Sequence, residues 1–230
     1  MNDSTTIGFI SGTGPQGRGL AMRLALAGLR VRVGSRNAER AQGAADELNR
    51  LVEAFAGAEA FAPIGGGDNH QVVAGSDLVL LTVPFEHAAA TLEAYRNDFR
   101  DDAVFVDVTV PLVFGKGDPQ VEIPPEGSGS RHLRAILPAR IPFTGAFKTL
   151  PAHVLEELET PLDCDTFVFG DDKGAKQRLM EVVAAVPGLR PVDVGGMSAA
   201  ATLEGMTALA IRINRRMKSK SARYRVVGTG

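Results

Sequence analysis

Short apolar runs and longer amphipathic stretches alternate along the first half of the chain. Thr6-Ile7-Gly8-Phe9-Ile10 is short, β-branched and aromatic-rich, which predicts a strand. A glycine-rich turn follows, and Arg18–Leu29 reads as a helix with Leu20, Leu24 and Leu26 as its apolar positions and Gly28 near its end. Val31-Arg32-Val33 predicts a second strand, and Asn37–Phe55 a long helix with Asn37 as its N-cap. Gly65-Gly66-Gly67 marks a loop. Asp77–Val83 is almost unbroken in its apolar character, as expected of a strand covered on both faces, and Pro84 stops it. Glu86–Phe99 follows as a helix and Ala103–Val108 as another buried strand. Strands separated by helices of this length predict a Rossmann-type, doubly wound α/β fold built on a parallel sheet.

The second half is less regular. Phe114–Ser130 is rich in glycine and proline and reads as a long loop, within an irregular insertion over 111–142. A loop of that length in a compact domain is often functional, sometimes as a lid. Phe143–Phe147, Thr166–Phe169 and Arg190–Val194 are further strand candidates, with a helix over Lys173–Val186 between the last two. Ser198–Lys218 reads as one long helix, because Leu203, Met206, Ala210, Ile213 and Met217 recur at helical spacing. The expected organisation is a core over 1–196 and a small C-terminal portion over 197–230, holding the long helix and a basic tail.

Composition narrows the class. A chain of 230 residues that is 44% hydrophobic and 23% charged can bury its own core. No run reaches the roughly 18 apolar residues of a membrane span, and Met1–Thr6 lacks the basic region of a secretory leader. One cysteine, Cys164, rules out an internal disulfide framework, and four scattered histidines give no metal-ligand spacing. The expectations are a cytoplasmic location and no metal. The net charge of −2 is uneven: Arg212, Arg215, Arg216, Lys218, Lys220, Arg223 and Arg225 fall together without an acid among them. A solvated helix end explains that cluster better than a nucleic-acid contact, since no aromatic platform accompanies it.

The candidate chemistry begins at Gly12-Thr13-Gly14-Pro15-Gln16-Gly17. This G-x-G-x-x-G sequence follows a strand and opens a helix, the context in which it binds a dinucleotide. The first glycine permits the tight turn, the second lets backbone approach a pyrophosphate, and the third lets helix and strand pack closely. Free N–H groups at the helix N-terminus then meet the phosphates.

Where an NAD-binding domain carries an acid for the ribose hydroxyls, this chain has Gly34-Ser35-Arg36, with Arg40 four residues on. A hydroxyl and two guanidinium groups attract a 2′-phosphate that a carboxylate would repel. NADP is therefore expected over NAD. Thr82-Val83-Pro84-Phe85 leaves a buried strand at the carboxyl edge of the sheet, where ligands of open α/β folds bind. Pro84 fixes the turn on the nicotinamide side and Phe85 can cover a flat ring, whereas His87 reads as a solvent-facing residue starting a helix.

These stretches, taken with Lys148-Thr149-Leu150-Pro151-Ala152, Gly170-Asp171-Asp172 and Gly188-Leu189-Arg190-Pro191-Val192-Asp193, resemble the NADPH-dependent reductases of the deazaflavin coenzyme F-420. The likeness runs in order from about Ile7 to Met217. It implies a homodimer that moves a hydride between NADP(H) and a deazaflavin. It also implies a 2′-phosphate site at Ser35, Arg36 and Arg40, a nicotinamide turn at Val83 and Pro84, and deazaflavin contacts around Lys148, Leu150, Met197 and Ser198. One departure is on the substrate side: Lys148 stands where the family pattern has histidine. A lysine can supply positive charge beside a flavin-like ring as charge develops on it, or donate a proton to a carbonyl or imine. Lys148 is thus the candidate catalytic residue. A reductase of small carbonyls or imines and a non-catalytic NADP sensor remain open beside the deazaflavin reading.

Overall fold

The structure, a computed structural model, describes residues 5–228; Met1–Ser4, read above for a leader, and Thr229–Gly230 at the end of the expected C-terminal portion lie outside the described residues. Among the described residues ten strands and eight α-helices follow one another, mostly in alternation. The first half runs β1 (Thr6–Ile10), α1 (Pro15–Leu26), β2 (Arg30–Ser35), α2 (Ala38–Ala56), β3 (Gly65–Asp68), α3 (Asn69–Ala74), β4 (Leu78–Leu81), α4 (Phe85–Tyr95) and β5 (Val104–Asp107). The second half runs β6 (Leu112–Val113), β7 (Gln120–Val121), α5 (Gly129–Ile136), β8 (Phe143–Gly145), α6 (Ala152–Glu156), β9 (Cys164–Gly170), α7 (Lys173–Ala185), β10 (Leu189–Asp193) and α8 (Ala200–Met217), with a 3-10 turn at Met197–Ala199 leading into α8.

Among the described residues eight strands form one sheet in the order β10-β9-β8-β5-β4-β1-β2-β3, while β6 and β7 pair separately. All neighbours in the sheet are parallel except β8 and β9. Strand order reverses between β1 and β4, which opens a crevice beyond their carboxyl ends.

Alternation along each strand sorts side chains into two cores. Ile7, Phe9, Leu78, Leu80, Val104 and Val106 meet α1, α2 and α7 through Leu20, Leu24, Leu48 and Leu179. Ile10, Val79, Leu81 and Phe105 meet α4, α5 and α8 through Leu92, Leu133 and Leu203. The central strands β4 and β5 are buried on both faces, so they read as continuous apolar runs in the sequence. The stripe on α8 divides: Leu203 and Ala210 are buried, whereas Met217 is 74% exposed.

Four expectations change. Gly65–Gly67 is strand β3, not loop; it pairs with β2, and a Cβ on Gly66 would sit 2.5 Å from the Gln42 backbone, so α2 lies too close for any side chain there. Phe114–Ser130 is not continuous loop: β7 pairs with β6 inside it, and α5 starts at Gly129 under the Ser128 cap, whose side chain accepts the Arg131 N–H. The sheet is not wholly parallel, because β9 reverses against β8. The first helix begins at Pro15, not Arg18, since Pro15 occupies the first helical position, where a missing N–H is tolerated.

Candidate functional site

The glycine-rich turn links β1 to α1 at the switch point. Gly17 is fixed by packing: a Cβ there would lie 2.7 Å from the Gly12 carbonyl oxygen. Gly14 differs, because a Cβ built on it meets nothing within 4 Å and its φ of −82° suits any residue. Nothing in the protein requires that glycine; a ligand lying on its backbone would. Gly14 is also the N-cap of α1, with no side-chain cap and no acid in the first turn. The helix thus presents uncapped N–H groups and the positive end of its dipole, the arrangement that holds a pyrophosphate.

At the end of β2, Ser35 is buried while Arg36 and Arg40 are exposed. Asn37 caps α2 by accepting the Arg40 N–H at 2.8 Å, which sets Arg40 in the first turn of that helix. Among the described residues neither guanidinium has an ion-pair partner, so two cations flank one buried hydroxyl beside the turn.

The loops after β1, β4, β5 and β8 enclose a cavity of about 1000 Å³, closed on its far side by α8 and the segment after it. Of the residues singled out in the sequence, Gly14, Pro15, Gln16, Thr82, Val83, Pro84, Phe85, Lys148 and Leu150 line it. Gly12, Thr13, Gly17, Ser35, Arg36 and Arg40 lie outside its lining, as do Met197 and Ser198, whose 3-10 turn is tied to Asp171 by the Met197 N–H at 2.9 Å. His87 is exposed next to Glu86 and does not line it.

Two contacts shape the wall beyond β8. Phe147, fully buried, takes a left-handed φ of 61° and is held by donating its N–H to Thr166 Oγ1 at 2.8 Å. Arg23 on α1 reaches under α6 and donates to the carbonyls of Val154, Leu155, Glu157 and Thr160. The helix carbonyls of Val154 and Leu155 have no later turn to accept from, and the buried guanidinium satisfies them.

Beneath the cavity lies a buried polar cluster. Lys148 Nζ donates to Asp107 Oδ2 at 2.7 Å and to the Thr109 carbonyl, and sits 5.8 Å from the centre of the Phe169 ring. Asp107, at the carboxyl end of β5 and fully buried, also accepts from Thr109 N, Thr109 Oγ1 and Ser130 Oγ. Glu204 on α8, 1% exposed, accepts the Gly129 and Ser130 N–H groups at the start of α5. Thr207 Oγ1 donates to the Lys148 carbonyl at 3.0 Å. The cluster therefore joins β5, α5 and α8 directly below the space where a ligand would lie.

A family model described as NADP oxidoreductase coenzyme F420-dependent matches residues 6–111. The chain is 33% identical to the F420-dependent NADP reductase of Methanothermobacter thermautotrophicus over 223 residues, 96% of this chain and 94% of that protein. It is 32% identical to the F420-dependent NADP reductase of Methanocaldococcus jannaschii, over 96% of this chain and 97% of that protein. The chain belongs to the F420-dependent NADP reductase family. A solved structure from Arthrobacter sp. fb24, itself provisionally described as an F420-dependent NADP reductase, superposes with a TM-score of 0.76 at 20% identity, covering 97% of this chain and 99% of that one. That likeness is one of fold.

Sequence reasoning missed Asn69, although this member of the F420-dependent NADP reductase family uses it to brace the residue that opens the glycine-rich turn. Asn69 is 1% exposed; its Oδ1 accepts the Ser11 N–H at 3.0 Å and its Nδ2 donates to Ser11 Oγ at 3.4 Å. Ser11 has a φ of 56°, a left-handed conformation that a serine adopts at some strain. Asn69→Ala leaves a buried N–H unpaired, and the Kd for NADPH is expected to rise about tenfold by the usual cost of such a loss. Asn69→Asp keeps the acceptor and should restore part of the affinity. Calorimetric titration checks both, and wild-type affinity in Asn69→Ala would remove the bracing role.

Proposed function

We propose that this protein transfers a hydride between the nicotinamide of NADP(H) and the deazaflavin ring of F420. The observation that carries the reading is the continuity of the cavity. One cavity is lined by the uncapped α1 N-terminus at Gly14, Pro15 and Gln16, by Thr82, Val83 and Pro84, and by the apolar residues Phe85, Val108, Val110 and Leu150. A nicotinamide anchored by its phosphates at α1 would enter beside Pro84 and leave room for a second flat ring against the apolar wall. Holding two rings face to face at reacting distance is the main thing hydride transfer requires of a protein, and the bound NADP(H) and F420 supply the redox chemistry. Gly12, Thr13, Gly14, Pro15, Gln16 and Gly17 form the pyrophosphate turn in this reading, and Ser35, Arg36 and Arg40 the 2′-phosphate site.

Lys148 enters this reading as a positioned charge. Its ammonium points at Asp107 and Thr109, so it holds the loops after β5 and β8 together and places a buried ion pair under the rings. Reduction of a small carbonyl would call for a freely donating acid at the same place, and this ammonium is already engaged. Met197 and Ser198 lie outside the cavity lining, so a role for them in acceptor binding requires a ligand that extends to the 3-10 turn. The domain reading is a core over 1–196 and a C-terminal portion over 197–230; it is supported by α8, which lines the cavity.

The test is NADPH oxidation followed by nicotinamide absorbance, with F420, free flavins and small carbonyls offered in parallel. Turnover with F420 is expected; turnover with carbonyls alone overturns the reading, and tight NADPH binding with no acceptor points to a sensor. Homodimer formation is also part of the proposal. It is supported by exposed Leu209 and Met217 on α8 and by exposed Val113 and Phe114 near β6. A concentration-independent monomer mass in light scattering would exclude it. A cytoplasmic location is supported by a single cysteine, Cys164, whose buried thiol is pushed up to about 11 by desolvation. No helix of the described residues is long and apolar enough to cross a membrane. Cell fractionation reads the location.

A further inference from the structure

Phe85 is the phenylalanine that lines the cavity, and what backs its ring is α5, a helix outside the lining. A Cβ built on Gly129, the first residue of α5, would stand 2.7 Å from Phe85 Cε2 and 3.0 Å from Pro111 Cδ, so the ring fills the space a side chain would need. One turn on, the centre of the His132 ring lies 6.3 Å from that of Phe85. The seat of the Phe85 ring is therefore set by where α5 begins.

That beginning is fixed from α8. Glu204 Oε2 accepts the Gly129 N–H and Glu204 Oε1 the Ser130 N–H, both at 3.0 Å. Ser128 Oγ accepts the Arg131 N–H at 3.1 Å, and the Ser128 carbonyl accepts that of His132. The N–H groups of the first turn are thus satisfied, two of them by an acid from another helix.

Glu204 is 1% exposed and, among the described residues, has no ion-pair partner. Lys148 is matched by Asp107 at 2.7 Å. What offsets the Glu204 charge is the pair of N–H groups and the positive end of the α5 dipole. Burying a carboxylate is costly unless it is well hydrogen-bonded, and Ser128 already caps α5, so capping alone does not call for this acid. The Ser130 hydroxyl adds a second link. Its single proton faces Asp107 Oδ2 at 2.6 Å and Glu204 Oε1 at 3.1 Å, and the nearer oxygen takes it. Ser130 is thus held by Glu204 through its backbone and by Asp107 through its side chain.

We propose that Glu204 is a positioning residue for hydride transfer. By seating the start of α5 it fixes the Phe85 ring through Gly129, and the Asp107–Lys148 pair through Ser130. This rests on the reading that the acceptor ring lies in the cavity; Glu204 itself does not line that cavity.

Glu204→Gln, assayed with NADPH and F420, is the direct test. The amide keeps the volume and one acceptor oxygen but turns an NH2 group towards the second N–H. kcat is expected to fall about tenfold, less than the roughly hundredfold that a 1 Å misplacement can cost, and KM for F420 to rise. The Kd for NADPH should be unchanged, because the α1 N-terminus and Arg36 lie outside this set of contacts. Gly129→Ala leaves the Glu204 carboxylate in place and pushes on Phe85 and Pro111. The same split between F420 and NADPH is expected from it, and it answers the question if Glu204→Gln does not fold. A lower melting temperature with kcat and KM for F420 unchanged would make Glu204 a structural cap and overturn the proposal. A loss of NADPH affinity as large as the loss in F420 turnover would do the same.

Absence of turnover with F420 in the wild type sinks the acceptor reading instead. The chain has no tryptophan, so Phe85→Trp places a lone fluorescent reporter in the cavity wall. Adding Glu204→Gln must then shift its emission to longer wavelength and raise its quenching by acrylamide. Unchanged emission and quenching overturn the positioning role, whatever the acceptor proves to be.

Discussion

Asp107→Ala is expected to lower the melting temperature by roughly 6–20 °C, from a loss of about 3–5 kcal/mol spread over a chain of this size. Asp107 is fully buried and accepts four hydrogen bonds, from Thr109 N, Thr109 Oγ1, Ser130 Oγ and Lys148 Nζ. Without it, the Lys148 ammonium, 2% exposed, keeps only the Thr109 carbonyl and carries an uncompensated charge in the interior. Removing one partner of a buried pair is far more damaging than removing both, because the remaining charge loses water without gaining a counterion. Asp107→Ala with Lys148→Met should therefore recover the larger part of the loss. The part not recovered reports Thr109, whose N–H and hydroxyl lose their acceptor in both variants, while the Ser130 hydroxyl keeps Glu204 Oε1 at 3.1 Å. Thermal unfolding of the single and double variants decides it. A single variant that melts within about 2 °C of the wild type, less than about 1 kcal/mol for a chain of this size, would mean the pair contributes little.

The same comparison bears on catalysis. If Lys148 acts by holding the loops after β5 and β8, the double variant keeps turnover in proportion to its recovered stability. If the charge itself acts on the reacting ring, the double variant folds and kcat stays low. The two roles attributed to this lysine thus separate in one pair of proteins.

What the sequence discloses about this site follows from how local each feature is. The turn from Gly12 to Gly17 is legible because two of its glycines answer to atoms a few residues away, Gly12 to the Phe9 side chain and Gly17 to the Gly12 carbonyl. Buried strands such as Leu78–Leu81 are legible because both faces are covered and no polar residue interrupts them. Strand β3 was hidden, since a glycine run carries no apolar signal and its state depends on α2, whose backbone a Cβ on Gly66 would meet at 2.5 Å. Glu204 was hidden for a similar reason: a lone acid on an amphipathic helix reads as solvent-facing, and only the fold brings the start of α5 to it. Asn69, Ser130 and Asp107 meet partners 58, 74 and 41 residues away, at Ser11, Glu204 and Lys148, distances over which no spacing rule operates. The basic run was visible as charge, but the course of the segment after α8 is set by Asn214, Tyr224 and Asp165, none of which stands out in the sequence.

Arg36→Ala should weaken NADPH binding about tenfold, and with Arg40→Ala about a hundredfold, at a Kd cost that NADH does not share. The geometry supports a selective effect. Both guanidinium groups are exposed and without ion-pair partners among the described residues, so their removal breaks no internal contact and leaves the fold intact. Ser35 is buried at the end of β2 and, through its Oγ, accepts the Asn37 N–H at 3.4 Å, which keeps the turn in place in both variants. A 2′-phosphate would bring its charge between the two cations, whereas the free ribose hydroxyl of NADH gives them nothing to answer. Because the site is solvent-exposed, the preference for NADPH should also fall with ionic strength in the wild type and much less in the double variant. Parallel titrations of NADPH and NADH at low and high salt read both effects. Equal losses for the two cofactors would mean that Arg36 and Arg40 support the turn and do not read the phosphate, and the source of NADP selectivity would then have to lie elsewhere along the cofactor.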